Sequence, residues 1–448
     1  MKKNYRFILI FGLAILSSQL FSQTVTTPYE VATWSGFRKA AVSFTFDDGC
    51  PNQLKIAVPY FNTLGLKLTL FTPTNGSPNW AGLKTASDSG HEIASHTVTH
   101  PDLSKISVQQ QVNELKNSKT AIESHIPNKK CLTIAYPMCV PCPDSLLYKY
   151  YISARGCQGF IEGKTPGNYD NISSIGVGKP GFYTFEHYKS KFLSVGTTGG
   201  WLVLLIHALD TDADGFSPVP SKDMKWAAEF LAMRKPKYWT TTFLNATLYS
   251  KERKAVKVKE TAATDSSFTL SVTDNLPDSI YNYPLTLRRP LPSNWPSATV
   301  IQDSVSVPTR IVKIETNVYI TFDVIPDLGE VKILKNLTTV IPQIDSIPAD
   351  NINPSDYLAA SIEQPMGSSE TKASFNSGKL IVTSSNFSNG ILMINLYDTK
   401  GVAMLSRKWN YKGENEISID LNGNLKSGIY IVDITDGSSS WRSKIIVN

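Results

Sequence analysis

The run Ala41-Val42-Ser43-Phe44-Thr45-Phe46 ends in Asp47-Asp48-Gly49. Alternating apolar residues read as a buried strand, and the glycine reads as its end. Two adjacent carboxylates at such a lip narrow the choice of fold, because α/β architectures keep their chemistry at C-terminal strand ends. Downstream, Ser95-His96-Thr97-Val98-Thr99-His100 carries two imidazoles spaced to converge on one point. One carboxylate and two histidines form a three-ligand set for a divalent metal with open positions. The other carboxylate is left free to act as a base. A third element, Trp201-Leu202-Val203-Leu204-Leu205-Ile206-His207, is a continuous apolar strand that delivers a histidine to the same rim, where it is placed as a general acid. Each element also has a plainer reading: a capped turn, incidental histidines, a hydrogen-bonded core histidine. Their order along one chain favours the joint reading.

Between Trp34 and Lys254 short strands alternate with longer amphipathic pieces. Val108, Val112, Leu115 and Ile122 give an apolar stripe over Ile106–Ile122, and Lys222–Met233 reads as a helix too. Lys67–Phe71, Cys131–Tyr136, Tyr151–Ala154 and Trp201–Ile206 read as strands. This alternation predicts a parallel sheet or barrel. After Lys254 short β-type runs separated by turn residues predict a small β-sandwich over 255–337. Residues 338–372, rich in Pro, Ser, Asn and Asp, read as a linker. Strands resume over 373–448 as a second β-sandwich. A chain of 448 residues is too long for one core and accommodates these pieces.

Residues 1–23 read as a signal peptide. Lys2, Lys3 and Arg6 precede the apolar stretch Phe7–Leu16, and small or polar residues follow. That stretch is short for a bilayer, and no later segment is long and apolar enough, so no stable membrane span is expected. The formal charge of +6 is scattered, with no basic stripe, which argues against nucleic acid as a partner. Export permits disulfides. Five cysteines leave at least one outside any internal pair. Cys139-Val140-Pro141-Cys142 reads as part of a local or inter-loop disulfide rather than a zinc site. Cys50, beside the Asp pair, is a candidate to bridge to another active-site loop.

The three ordered motifs resemble the polysaccharide deacetylases, the metal-dependent carbohydrate esterases of family 4 with the nodulation-deacetylase homology domain. Gly90-His91-Glu92-Ile93-Ala94 and Tyr238-Trp239-Thr240-Thr241-Thr242 agree as flanks, and the resemblance covers 34–254. It implies a distorted (β/α) barrel followed by two all-β sandwich domains. It implies that Asp48, His96 and His100 hold one divalent ion of the zinc type, that Asp47 is the base, and that His207 is the acid protonating the leaving group. The third motif departs from the family pattern. Ala135-Tyr136-Pro137-Met138 lacks the usual arginine, and Met138 stands for the aromatic. The backbone N–H of Met138 still serves as oxyanion donor, since an amide does not depend on its side chain. Arg155 is the candidate to replace the missing arginine beside Asp47; the alternative is a surface arginine.

The implied activity is hydrolytic removal of N- or O-acetyl groups from an acetylated polysaccharide, without a covalent intermediate. The rival reading is a catalytically impaired sugar-binding surface protein. Asp210-Thr211-Asp212-Ala213-Asp214-Gly215 resembles the start of a calcium loop, but Ser221 stands where glutamate is needed, which leaves an acidic rim loop. Trp80, Trp201 and Trp226 are candidates for sugar stacking, with core packing as the alternative. Leu396-Tyr397-Asp398-Thr399-Lys400-Gly401, Leu425–Val432 and Lys444–Val447 resemble the sorting domain of type IX secretion substrates. That resemblance implies the type IX machinery as a partner, and a secreted or surface location on a Gram-negative bacterium.

Overall fold

The computed structural model describes residues 23–212, 215–338, 340, 342 and, between short gaps, 372–447. The expected signal peptide, but for its last residue, and nearly all of the expected linker lie outside the described residues.

The α/β part, residues 32–250, is built on eight strands joined by parallel pairings. The order across the sheet is Ser153–Arg155, Thr133–Ala135, Glu92–Ser95, Thr69–Thr72, Ala40–Phe46, Trp201–Ile206 and Ile175–Gly176. Tyr238–Thr240 pairs with the first half of the Ala40–Phe46 strand, and Thr69–Thr72 with its last residues. The end strands meet only through a short parallel bridge of Arg155 with Ile172, where the Gly156 N–H donates to the Ile172 carbonyl and the Ile172 N–H to the Ala154 carbonyl, both at 2.8 Å, so the barrel is a distorted one.

The central strand differs from its sequence reading in one respect. All seven residues of Ala40–Phe46 are buried, the polar ones included. Parallel strands are covered on both faces, so the alternation carries no solvent side. Ser43 Oγ accepts from Trp201 Nε1 at 3.0 Å, and Thr45 Oγ1 donates to the Leu204 carbonyl at 2.8 Å, which satisfies both buried hydroxyls. The Val108–His125 helix starts at a Ser107/Gln110 capping box and buries Leu115 and Ile122. Val108, first in the expected stripe, is exposed.

Residues 23–31 and 251–342 form a separate compact unit of two β-sheets. One sheet joins Thr24–Val25, Lys257–Ala263, Ser267–Thr273, Val331–Asn336, Ser297–Gln302 and Val305–Val307. The other joins Thr309–Ile314, Asn317–Val324, Leu285–Pro290 and Glu30–Val31. The chain thus begins in the β unit, forms the α/β unit, and returns. Two-residue strands have no periodicity to read, which is why Thr24–Val25 and Glu30–Val31 escape sequence analysis.

Glu252 is fully buried in this unit. One carboxyl oxygen accepts from the Tyr283 N–H at 2.8 Å, and Oε2 has no partner. Burial pushes its pKa up to about 8, and Asp274 and Asp278 push the same way. An acid with a raised folded-state pKa binds more protons folded than unfolded, so stability falls as pH rises from about 4.5 through 8, by up to roughly 5 kcal/mol. Glu252→Gln is therefore expected to melt higher than the parent at pH 9. The gap should close near pH 4. Equal melting-temperature differences at both pH values would contradict this account.

The C-terminal segment forms a three-stranded and a four-stranded antiparallel sheet around one core. The core is read directly from period-two alternation, as in Leu392, Ile394 and Leu396 or Tyr430, Val432 and Ile434.

Candidate active site

Parallel register assembles the rim. Phe46 pairs with Ile206, Thr72 with Ser95, and Ala135 with Arg155. Asp47, His96, Tyr136 and His207 each follow directly on a strand end. The Asp47 N–H donates to the Ile206 carbonyl at 2.9 Å, which joins the first and last motifs. Asp48 and Gly49 then turn through left-handed φ values of 71° and 68°. Gly49 makes that turn cheaply, and aspartate is among the side chains that tolerate it. The Asp48 carboxylate meets the histidines: its Oδ1 lies 3.5 Å from His96 Nε2 and 3.5 Å from His100 Nε2. Gln53, which sequence reasoning missed, donates through Nε2 to the carbonyls of both Asp47 and His207.

The two histidines do not share a helical turn. The segment between them is a loop with left-handed Thr97 and His100. Glu114, on the Val108–His125 helix, clamps it by accepting from the Val98 and Thr99 N–H groups at 2.7 and 2.8 Å. His96 is buried, and its Nδ1 lies 2.8 Å from the Ala135 carbonyl. A carbonyl can only accept, so that contact places a proton on Nδ1 and leaves Nε2 as the atom facing Asp48.

Arg155 reaches Asp47. It is 1% exposed, its Nη2 donates to Asp47 Oδ2, and its guanidinium lies 5.5 Å over the Phe71 ring. Asp47 Oδ1 is buried with no hydrogen-bond partner. Burial works to raise the Asp48 carboxyl, but its hydrogen bond to His96 and the charges of His96, His207 and His100 outweigh it and hold it below the usual carboxylate range. Burial lowers His100 and His207, against the pull of Asp47 and Asp48, and so favours neutral imidazoles. Neutral rings are what a metal ligand must offer.

These groups line a cleft of roughly 630 Å³. Met138, with φ 54°, lines it with a side chain 61% exposed. A Cys139–Cys157 disulfide joins two of its loops. Cys50 is buried and free, its thiol pushed up to about 12 by burial and then by Asp48, so the expected Cys50 bridge is corrected. Of the two readings of the tryptophans, core packing, the more frequent fate, is the one the structure shows. Trp201 is fully buried, and Trp80 stacks on His125 with ring centroids 4.1 Å apart. None of the three candidates lines the cleft, whose aromatic walls are Tyr136, Phe182 and Phe216. Phe216 sits on a polar loop with no periodic signal, and its ring centroid is 5.0 Å from that of His207. In the acidic rim loop Asp212 accepts from the Asn52 N–H and Asp210 from the Ser221 N–H, both as loop clips.

The donor set fits a divalent ion. One carboxylate oxygen and two imidazole nitrogens lie within 4.8 Å of one another. The buried Asp47 carboxylate stands beside them, its Oδ2 3.6 Å from His96 Nε2, and its Oδ1 has no hydrogen-bond partner among the described residues. An Asp-His-His set at the strand ends of a parallel α/β domain is the kind of site that can hold a divalent ion.

Two family models match parts of the chain. Residues 35–144 match the polysaccharide deacetylase family, and residues 376–448 match the secretion system C-terminal sorting domain. Both matches fall on the segments whose motifs resemble those families. The first match takes in Asp47, Asp48, His96, His100 and Met138; Arg155 and His207 lie beyond it. A gellan lyase from Bacillus sp is 25% identical over 326 residues, 68% of this chain, but the chain spans only 13% of that relative. Among solved structures, a peptidoglycan deacetylase from Bacillus subtilis is 15% identical, with 49% of this chain and 95% of that one covered and a TM-score of 0.36. The Xyl-CE4 domain of a multidomain xylanase from the hindgut metagenome of Trinervitermes trinervoides is 18% identical, with 46% and 89% covered and a TM-score of 0.34.

Proposed function

We propose that this protein is a metal-dependent deacetylase of an acetylated polysaccharide, exported through the type IX route to the cell surface or beyond. One observation carries the reading: three metal-type donors converge within 4.8 Å, with the buried Asp47 carboxylate 3.6 Å from His96 Nε2.

Asp48, His96 and His100 would hold the ion, with zinc the best match to a mixed N/O set. When bound, such an ion acidifies water and polarises a carbonyl. Asp47 accepts the proton of the attacking water at Oδ1, while Arg155 keeps its other oxygen occupied. The Met138 N–H supports the developing oxyanion. His207 gives a proton to the departing amine or alcohol. The same steps serve an acetamide and an acetate ester.

The test is acetate release from chitooligosaccharides, acetylxylan and peptidoglycan, with and without chelator. Release that stops with chelator and returns with zinc supports the proposal. Release from xylan alone would assign an esterase. No release from any substrate by zinc-loaded protein overturns it. Within this scheme Arg155→Ala should lower kcat by ~10–100-fold with KM little changed, because it strips a buried carboxylate of its partner. An unchanged kcat would remove Arg155 from the mechanism.

A further inference from the structure

The two groups that support the chemistry from this side of the cleft come from different strand ends. Met138 follows Thr133–Ala135, and Arg155 ends the neighbouring strand. The family pattern supplies both functions from one loop; here they are split. The parallel pairing of Ala135 with Arg155 and the bond from the Tyr136 N–H to the Arg155 carbonyl at 3.1 Å tie the strand ends themselves, but the loops beyond them, from Pro137 and from Gly156, leave the ladder.

The Cys139–Cys157 disulfide spans the same gap. Cys139 directly follows Met138. Cys157 lies just past Arg155, and its Sγ accepts from Arg155 Nη1 at 3.5 Å. The guanidinium thus sits between the Asp47 carboxylate, the Phe71 ring and the bridge sulfur. On the other side Met138 and Cys139 hold φ values of 54° and 63°. Consecutive non-glycine residues in the left-handed region persist only where the surroundings hold them.

We propose that the Cys139–Cys157 bridge is a positioning device for the reaction, fixing the Met138 amide and the Arg155 guanidinium relative to each other and hence to Asp47. The bridge makes one rigid piece of two rim segments and so restores the linkage that the altered third motif lost. This rests on the deacetylase reading. The cysteines touch no substrate atom and act through Met138 and Arg155.

The test is the Cys139→Ser/Cys157→Ser double variant. A displacement of about 1 Å at a reacting group costs on the order of 100-fold, so kcat should fall ~10–100-fold while KM stays within ~3-fold. Zinc affinity should be unchanged, because Asp48, His96 and His100 lie on other segments. A merely structural bridge would leave kcat of the folded fraction intact, and that result overturns the proposal. Should the variant not fold, the parent is reduced with a phosphine, one disulfide and one water giving two thiols and a phosphine oxide, and compared in the same way. Amide hydrogen exchange at 138–140 and 155–157 reads the bridge independently of turnover. Faster exchange without the bridge supports the positioning role, and equal exchange overturns it. If the parent releases no acetate while exchange still accelerates, the deacetylase reading fails and the loop staple stands.

Discussion

An Asp47→Asn enzyme is expected to release acetate ~10³-fold more slowly than the parent, with KM nearly unchanged. The substitution is close to isosteric, so the side chain keeps its place beneath the rim. The Asn amide cannot accept a proton at the position of Oδ1, a buried carboxylate atom with no hydrogen-bond partner among the described residues. The cost is not confined to chemistry. Arg155 is 1% exposed and loses its counter-charge, which destabilises the fold by about 3–5 kcal/mol. Steady-state kinetics on protein shown to be folded by its melting curve separates the two effects. A folded variant within ~10-fold of the parent would contradict the base assignment.

His96→Ala is expected to abolish both zinc binding and activity. His96 is the most constrained of the three donors: 2% exposed, anchored through Nδ1 to the Ala135 carbonyl, with Nε2 3.5 Å from Asp48 Oδ1. Its loss leaves two donors, one of them on half-exposed His100, too few for a tight site. The parent stripped by chelator should recover with added zinc, whereas the variant should not. Calorimetric titration showing one equivalent bound to the parent and none to the variant completes the expectation. Retained tight binding by the variant would contradict the ligand set.

Much of the site was legible because its residues sit at strand ends. A buried parallel strand is an unbroken apolar run, and a charged or imidazole residue at its close stands out. Asp47 and His207 follow the paired residues Phe46 and Ile206, and the parallel register alone brings them side by side. The residues that hold the site gave no such signal. Gln53 and Glu114 work by hydrogen bonds to main-chain groups distant in sequence, which no local pattern encodes. The Cys139–Cys157 pairing depended on how two loops approach, and five cysteines allow many pairings. In the β unit, polar residues interrupt the apolar alternation of Lys257–Ala263 and Ser297–Gln302, which leaves no local strand signal. Their strand identity comes from neighbours in the sheet rather than from propensity.

The account turns on one ion among three side chains. A crystal grown with zinc, measured on both sides of its absorption edge, locates that ion directly. The account predicts an anomalous peak about 2.0–2.2 Å from Asp48 Oδ1, His96 Nε2 and His100 Nε2, with Asp47 outside the coordination shell. A fully zinc-loaded crystal with its peak elsewhere, or with Asp47 as a ligand, would contradict it.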